Sequence, residues 1–300
     1  MSETPSPSSD LHQVSRRLQE DLDLTSAPVQ LSYLSEPLRD APVSDHPSPS
    51  VCTYFALGQT RNLLVPLPHH QECEIGAFVL GMAPEGELGQ RLASTVGQME
   101  REGYLLPGEA LKIPRNESPP NYVHYAPLGE GPGSPTAVLL FVRARSLMLV
   151  LEAANRLGGE WTPPPMVLRP MCSIVPVLLQ GKPLAISVGC AGSRVYTGLS
   201  DGEMIVGVRG DRIAEFQRAL HTVRSANDSV AADDERRRDS SPPALRPPEG
   251  EDTRSGRSHR NRRPEVQAVT KTLSPSSVPA PKESSCWSSS RAARPLSVSP

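Results

Sequence analysis

Four cysteines carry the chemistry this sequence can most plainly do. Cys52, Cys73, Cys172 and Cys190 lie in the apolar part of the chain, and a fifth, Cys286, lies far towards the C-terminus. No two of them show the C-x-x-C spacing of a zinc or dithiol motif. Their order nevertheless has a pattern. Cys52 opens a segment that runs through Arg61 and apolar Leu63–Leu67 to Cys73 and then Gly81. Cys172 opens one that runs through Lys182 and apolar Leu184–Val188 to Cys190 and then Gly198. The cysteine intervals are 21 and 18 residues, and each glycine follows its second cysteine by 8. Two readings compete: chance alignment, or a degenerate internal two-fold repeat that brings four thiols near one point. Converging thiolates are soft ligands suited to zinc, copper(I) or an iron–sulfur cluster. The same residues also serve proteins as small buried hydrophobes, or as redox and nucleophilic thiols.

The segment Ser187–Arg194 (Ser-Val-Gly-Cys-Ala-Gly-Ser-Arg) is the most site-like in the chain. It leaves an apolar strand. Gly189 and Gly192 permit close backbone approach, and successive N–H groups in such a turn can face an anion. Ser193 adds a hydroxyl and Arg194 a planar fork suited to carboxylate or phosphate. Tyr196 and Glu203 follow closely. Candidate ligand-binding residues are therefore Gly189, Gly192, Ser193, Arg194, Tyr196 and Glu203, and Cys190 is the candidate nucleophile. The alternative is a strand-exit turn whose arginine bridges to a structural carboxylate such as Glu203. The spacing matches neither G-x-G-x-x-G nor a Walker A loop. His69 and His70 precede Cys73, and on a helix His70 and Cys73 would share a face; otherwise they belong to a polar loop after Pro68. The spacing H-E-x-x-H does not occur.

These residues need a scaffold. Of 300 residues, 37% are hydrophobic and 33 are proline, with the apolar shortfall at the two ends. Formal net charge is −2, which gives no whole-chain attraction for nucleic acid. The longest apolar runs, such as Ala137–Val142, are too short for a bilayer, and no secretory signal is read at the start. A cytoplasmic protein with reduced thiols is expected.

Residues 1–10 read as disordered. Helices are expected at Leu11–Leu22, Val51–Gly58, Cys73–Gly81, Leu88–Glu102 and Asp211–Arg224. A further helix, Ser146–Leu157, is expected to be capped by Ser146 and ended at Gly158. Strands are expected at Val29–Leu34, Leu63–Leu67, Tyr122–Leu128, Ala137–Val142, Leu184–Val188 and Met204–Val208, with the third and fourth forming a hairpin. The whole predicts an α/β (α+β) domain over residues 11–225, a single mixed sheet with flanking helices. Residues 226–300, rich in Ser, Pro and Arg, read as a disordered tail. The tail's basic cluster (Arg254, Arg257, Arg260, Arg262, Arg263) is diluted by Glu249, Glu251 and Asp252.

The run Gly189–Met204 (G-C-A-G-S-R-V-Y-T-G-L-S-D-G-E-M) resembles the hallmark segment of the uncharacterised domain-of-unknown-function family 169: a Cys, then Gly-Ser-Arg, then an acid. Cys52, Cys73 with the run to Gly81, Tyr122, Pro127-Leu128 and Cys172 fit the same resemblance, which covers about Leu11 to Val223. It implies a domain boundary and gives weight to the cysteines, and it supplies no reaction. Gly202 stands where a second acid is expected, so a paired-acid role for Glu203 is in doubt.

Overall fold

The computed structural model describes residues 7–39 and 41–240. Residues 1–6 and 241–300, which include the basic cluster and Cys286, lie outside the described residues. Seven strands are β1 (Val29–Leu34), β2 (Leu63–Pro66), β3 (Tyr122–Pro127), β4 (Ala137–Arg143), β5 (Met166–Val167), β6 (Leu184–Ser187) and β7 (Glu203–Arg209). The α-helices are α1 (Pro7–Leu22), α2 (Val51–Leu57), α3 (Glu74–Val79), α4 (Gly86–Arg101), α5 (Ala144–Leu157), α6 (Ile174–Leu179), α7 (Ala191–Thr197) and α8 (Ile213–Ser240).

The strands form one mixed sheet in the order β2-β3-β1-β4-β7-β6-β5, with β5 parallel to β6 and the other pairs antiparallel. The period-2 alternation of β4 explains how one sheet serves two cores. Ala137, Leu139 and Phe141 enter the core under α2, α6 and the cysteines; Val138, Leu140 and Val142 enter the one under α1, α5 and α8. Trp161 stacks on Phe216 at 5.9 Å in the second core. In β1 the alternate positions Gln30 and Ser32 are polar yet buried. Among the described residues no helix equivalent to α5 follows β1, and the loop after β3 meets this face instead: Gln30 donates to the Pro132 carbonyl and accepts from Gly129 N–H at 3.2 Å.

The sheet is symmetric about its central β1–β4 pair. Outward from it run β1, β3, β2 on one side and β4, β7, β6 on the other, each pair antiparallel. The correspondence reaches the edges, where Val43 bridges Leu64 of β2 in parallel as β5 pairs with β6. The cysteines occupy matching places. Cys52 lies in the first turn of α2 and Cys172 in the 3-10 turn (Met171–Ser173) that leads into α6. Cys73 and Cys190 are the N-cap residues of α3 and α7, and Gly81 (φ 90°) and Gly198 (φ 69°) follow those helices in positive-φ conformations. The internal repeat is thus visible in strand order, cysteine placement and helix termination alike.

Several expectations are corrected. Helix α1 begins at Pro7, inside the stretch read as disordered. β3 and β4 are not a hairpin, because β1 lies between them and bonds to both. Ser146 does not cap α5; it sits inside the helix and its hydroxyl donates to the Leu22 carbonyl at 2.7 Å, tying α5 to α1. The Gly-Ser-Arg stretch is helix α7 rather than a turn. Helix α8 continues past Arg224 to Ser240, held in its polar half by charge pairs at helical spacing such as Arg224–Asp228 and Arg237–Asp233.

Candidate functional site

Where the two halves meet above the first core, a cavity of about 350 Å³ opens, with mostly apolar walls. All four core cysteines line it. Each is delivered by the start of a short helix, and glycine sets how closely those helices approach. A Cβ on Gly76 would lie 2.4 Å from Val51 Cγ2 and 2.9 Å from Cys73 Sγ, so glycine there lets α3 dock against α2.

Cys52 and Cys172, the repeat-related pair, pack in the same core and both border the cavity. Hydrogen bonding from Cys172 and Ser50 holds the Cys52 thiol below its ordinary range, against burial, which raises it. Cys172 is pushed up by that same hydrogen bonding, by burial and by the other thiols. Burial raises Cys73, whose sulfur accepts the Gly76 N–H at 3.3 Å. Among the described residues no three His, Cys, Asp or Glu side chains converge as a single metal ion requires.

The other expected residues divide. Gly192, Ser193 and Tyr196 line the cavity; Gly189, Arg194 and Glu203 do not. The buried Ser193 hydroxyl accepts from Cys190 N–H and donates to Cys190 C=O, both at 2.8 Å, closing the first turn of α7. Arg194 is occupied by backbone: its guanidinium donates to the carbonyls of Ser200, Val188 (2.6 Å) and Glu203 (3.1 Å). The Glu203 carboxylate accepts from Ser200 N–H at 3.0 Å and its hydroxyl at 2.8 Å. Together they strap the α7–β7 connection. His70 does not share a face with Cys73. It is buried in a 3-10 turn (Leu67–His70), bonded to Tyr125 Oη and the Leu67 carbonyl at 3.2 Å each. Burial lowers it to about 4.

The cavity also has residues that the sequence did not single out. In the second half, residues 198–202 join α7 directly to β7; in the first, residues 80–121 intervene between α3 and β3 and contain α4 and a 3-10 turn (Glu109–Lys112). Met99, Glu102, Tyr104, Leu105 and Ile113 of this arm form one wall of the cavity. The arm is fastened across the repeat. Arg169, just before Cys172, makes a forked ion pair with Glu109 (3.1 and 3.3 Å) and lies over the Tyr104 ring at 4.8 Å. It is further anchored by buried Asn116, whose N–H donates to the Val79 carbonyl at 2.9 Å. Arg169 is the basic residue that borders the cavity. The long interval between Gly81 and Tyr122, without a counterpart after Gly198, was the available signal.

Residues 17–218 match the family DUF169, described as uncharacterised ArCR. The chain belongs to this family. The match begins within α1 and ends within α8, so it takes in both repeat halves, all four cysteines and the arm. No curated protein matches the chain, and no solved structure does. DUF169 thus names the domain without naming a reaction. Among the described residues of this DUF169 domain, no helix is long and apolar enough to cross a membrane.

Proposed function

We propose that this DUF169 domain binds a polynuclear metal–thiolate centre, an iron–sulfur cluster, through Cys52, Cys73, Cys172 and Cys190. The observation that carries the reading is that four cysteines from two repeat halves border one cavity of about 350 Å³. A single zinc ion needs its sulfurs within about 4 Å of each other around one point. That convergence is absent among the described residues, whereas a cluster supplies its own bridging atoms and fills the space between its cysteines. The walls suit it: apolar surroundings limit solvent access, one of the factors that set a cluster's potential. Arg194 and Glu203 act in this reading as the strap that fixes α7 and hence Cys190. Arg169, paired with Glu109, holds the arm that closes one side of the cavity.

The test is anaerobic reconstitution of the full chain with ferrous iron and sulfide. The expected result is visible charge-transfer absorption with stoichiometric iron and acid-labile sulfide, both lost when the four cysteines are replaced by serine. Equal uptake by the wild-type and the serine variant, or no uptake by the wild-type, overturns the proposal.

A further inference from the structure

We propose that the arm side of the cavity is a binding subsite for a small uncharged molecule of one or two aromatic rings. The subsite belongs to the arm and α7 and does not depend on whether the cysteines hold a cluster. The second repeat half delivers Cys172 and Cys190 to the cavity without any counterpart of the arm. The arm is thus not needed to place cysteines, and the wall it adds faces the cavity for another purpose. Size sets the class of ligand. An engineered apolar cavity of about 150 Å³ binds benzene; the whole cavity here measures about 350 Å³, within the range of pockets that take small molecules. Two tyrosines border it from opposite halves of the repeat, Tyr104 in the arm and Tyr196 in α7. Met99, Leu105 and Ile113 complete an apolar wall. Rings suit such walls, because offset or edge contacts between aromatic groups add to the gain from burial.

The charge of the ligand follows from what the polar groups on the wall already do. Among the described residues, Arg169 and Glu102 are the charged side chains that border the cavity. Arg169 is held in its fork with Glu109 and lies over the Tyr104 ring. Glu102 accepts from the Gln98 amide at 2.9 Å and, as an acid, repels an anion. The Ser50 hydroxyl accepts from Cys52 N–H at 3.2 Å, and the Ser193 hydroxyl is closed within the first turn of α7. An anionic ligand entering here would give up its hydration without a free cation or hydroxyl to replace it. A neutral ring loses little water and gains the apolar wall. Tyr196 is 44% exposed, so the subsite has a side open to exchange with solvent.

The experiment uses the full chain, stripped of metal by a chelator, with N-phenyl-1-naphthylamine as an uncharged fluorescent probe. The expected result is a saturable rise in fluorescence that 2-naphthol reverses and that 2-naphthoate, the same rings with a charge, reverses about tenfold less well. Met99→Trp fills the subsite from α4, a helix with no fully buried residue. It should weaken the probe about tenfold while the melting temperature holds. Benzophenone, uncharged and two-ringed, should photolabel residues 99–113 or 191–196 of the parent protein, and 2-naphthol should block the labelling. Unsaturable binding, displacement by 2-naphthoate as good as by 2-naphthol, unchanged binding in a folded Met99→Trp, or labelling confined to other segments overturns the proposal. The labelling map of the parent decides the matter even if the variant fails to fold. Because metal is absent throughout, failure here is distinct from failure to bind a cluster.

Discussion

Arg169, which immediately precedes the second repeat half's first cysteine turn, reaches across the cavity edge to Glu109 in the arm that only the first half possesses. Both side chains are about one-third exposed, at 35% and 31%, so solvent screens the pair and its weight in global stability is small. Its effect is local, because it fastens one wall of the cavity to the chain that carries Cys172.

Arg169→Ala is therefore expected to accelerate alkylation of Cys52 by a bulky maleimide several-fold while the melting temperature changes little. Modification rates followed by mass spectrometry, beside a thermal melt, check this. Unchanged reactivity would show that the arm stays closed without the pair.

His70 makes a pH prediction. Burial, the largest cause, lowers it from 6.5 to about 4 in the folded protein. The unfolded chain takes up this proton first as pH falls, so the stability held by neutral His70 is present above about 6.5 and is lost towards about 4. The loss approaches about 3 kcal/mol, at 1.36 kcal/mol per unit. Chemical denaturation across this range should give a flatter profile for His70→Gln than for the parent. Parallel profiles would place the acid sensitivity elsewhere.

The two repeat glycines should differ in a defined way. At Gly198 (φ 69°) an added Cβ meets open space, so Gly198→Ala carries only left-handed backbone strain, about 1 kcal/mol. At Gly81 (φ 90°) the Cβ would also lie 2.8 Å from the Asn116 carbonyl oxygen, where the arm is anchored. Gly81→Ala is expected to cost about 2–3 kcal/mol. Urea midpoints of the two variants decide it, and equal losses would mean that the arm yields freely at Asn116.

Arg194→Ala strands three carbonyls around the α7–β7 connection, a loss of about 1–2 kcal/mol. Hydrogen exchange should quicken over residues 188–203 while the far core around Trp161 and Phe216 keeps its protection. Uniform acceleration would show that Arg194 supports the whole fold.

The fold was legible wherever one face of an element met one core. Val29–Leu34 matches β1 residue for residue, since Val29 and Leu31 alternate with polar neighbours, and α2 ends one residue short of the expected Gly58. The hairpin misreading came from judging β3 and β4 by proximity in sequence, which carries no trace of β1 inserting between them. Helix α7 was hidden because Gly192 and the short polar run mimic a turn; the signal was Ser193, three residues after its N-cap Cys190. At the site, the recurrence of Cys and Gly pointed to thiols gathering across a repeat. The placing of all four cysteines on one cavity and the Arg169–Glu109 pair depend on tertiary closure between residues far apart in the chain, which local pattern does not encode.

The twofold arrangement within one polypeptide has a consequence for how this cavity could diverge. Two identical subunits joined along such a central strand pair would be bound to keep both rims alike, since any added segment would appear twice and compete for the same opening. Fusion into a single chain lifts that constraint. One rim carries residues 80–121 and the other only residues 198–202, so matching sulfurs open onto unlike surroundings, and a symmetric framework acquires a front and a back.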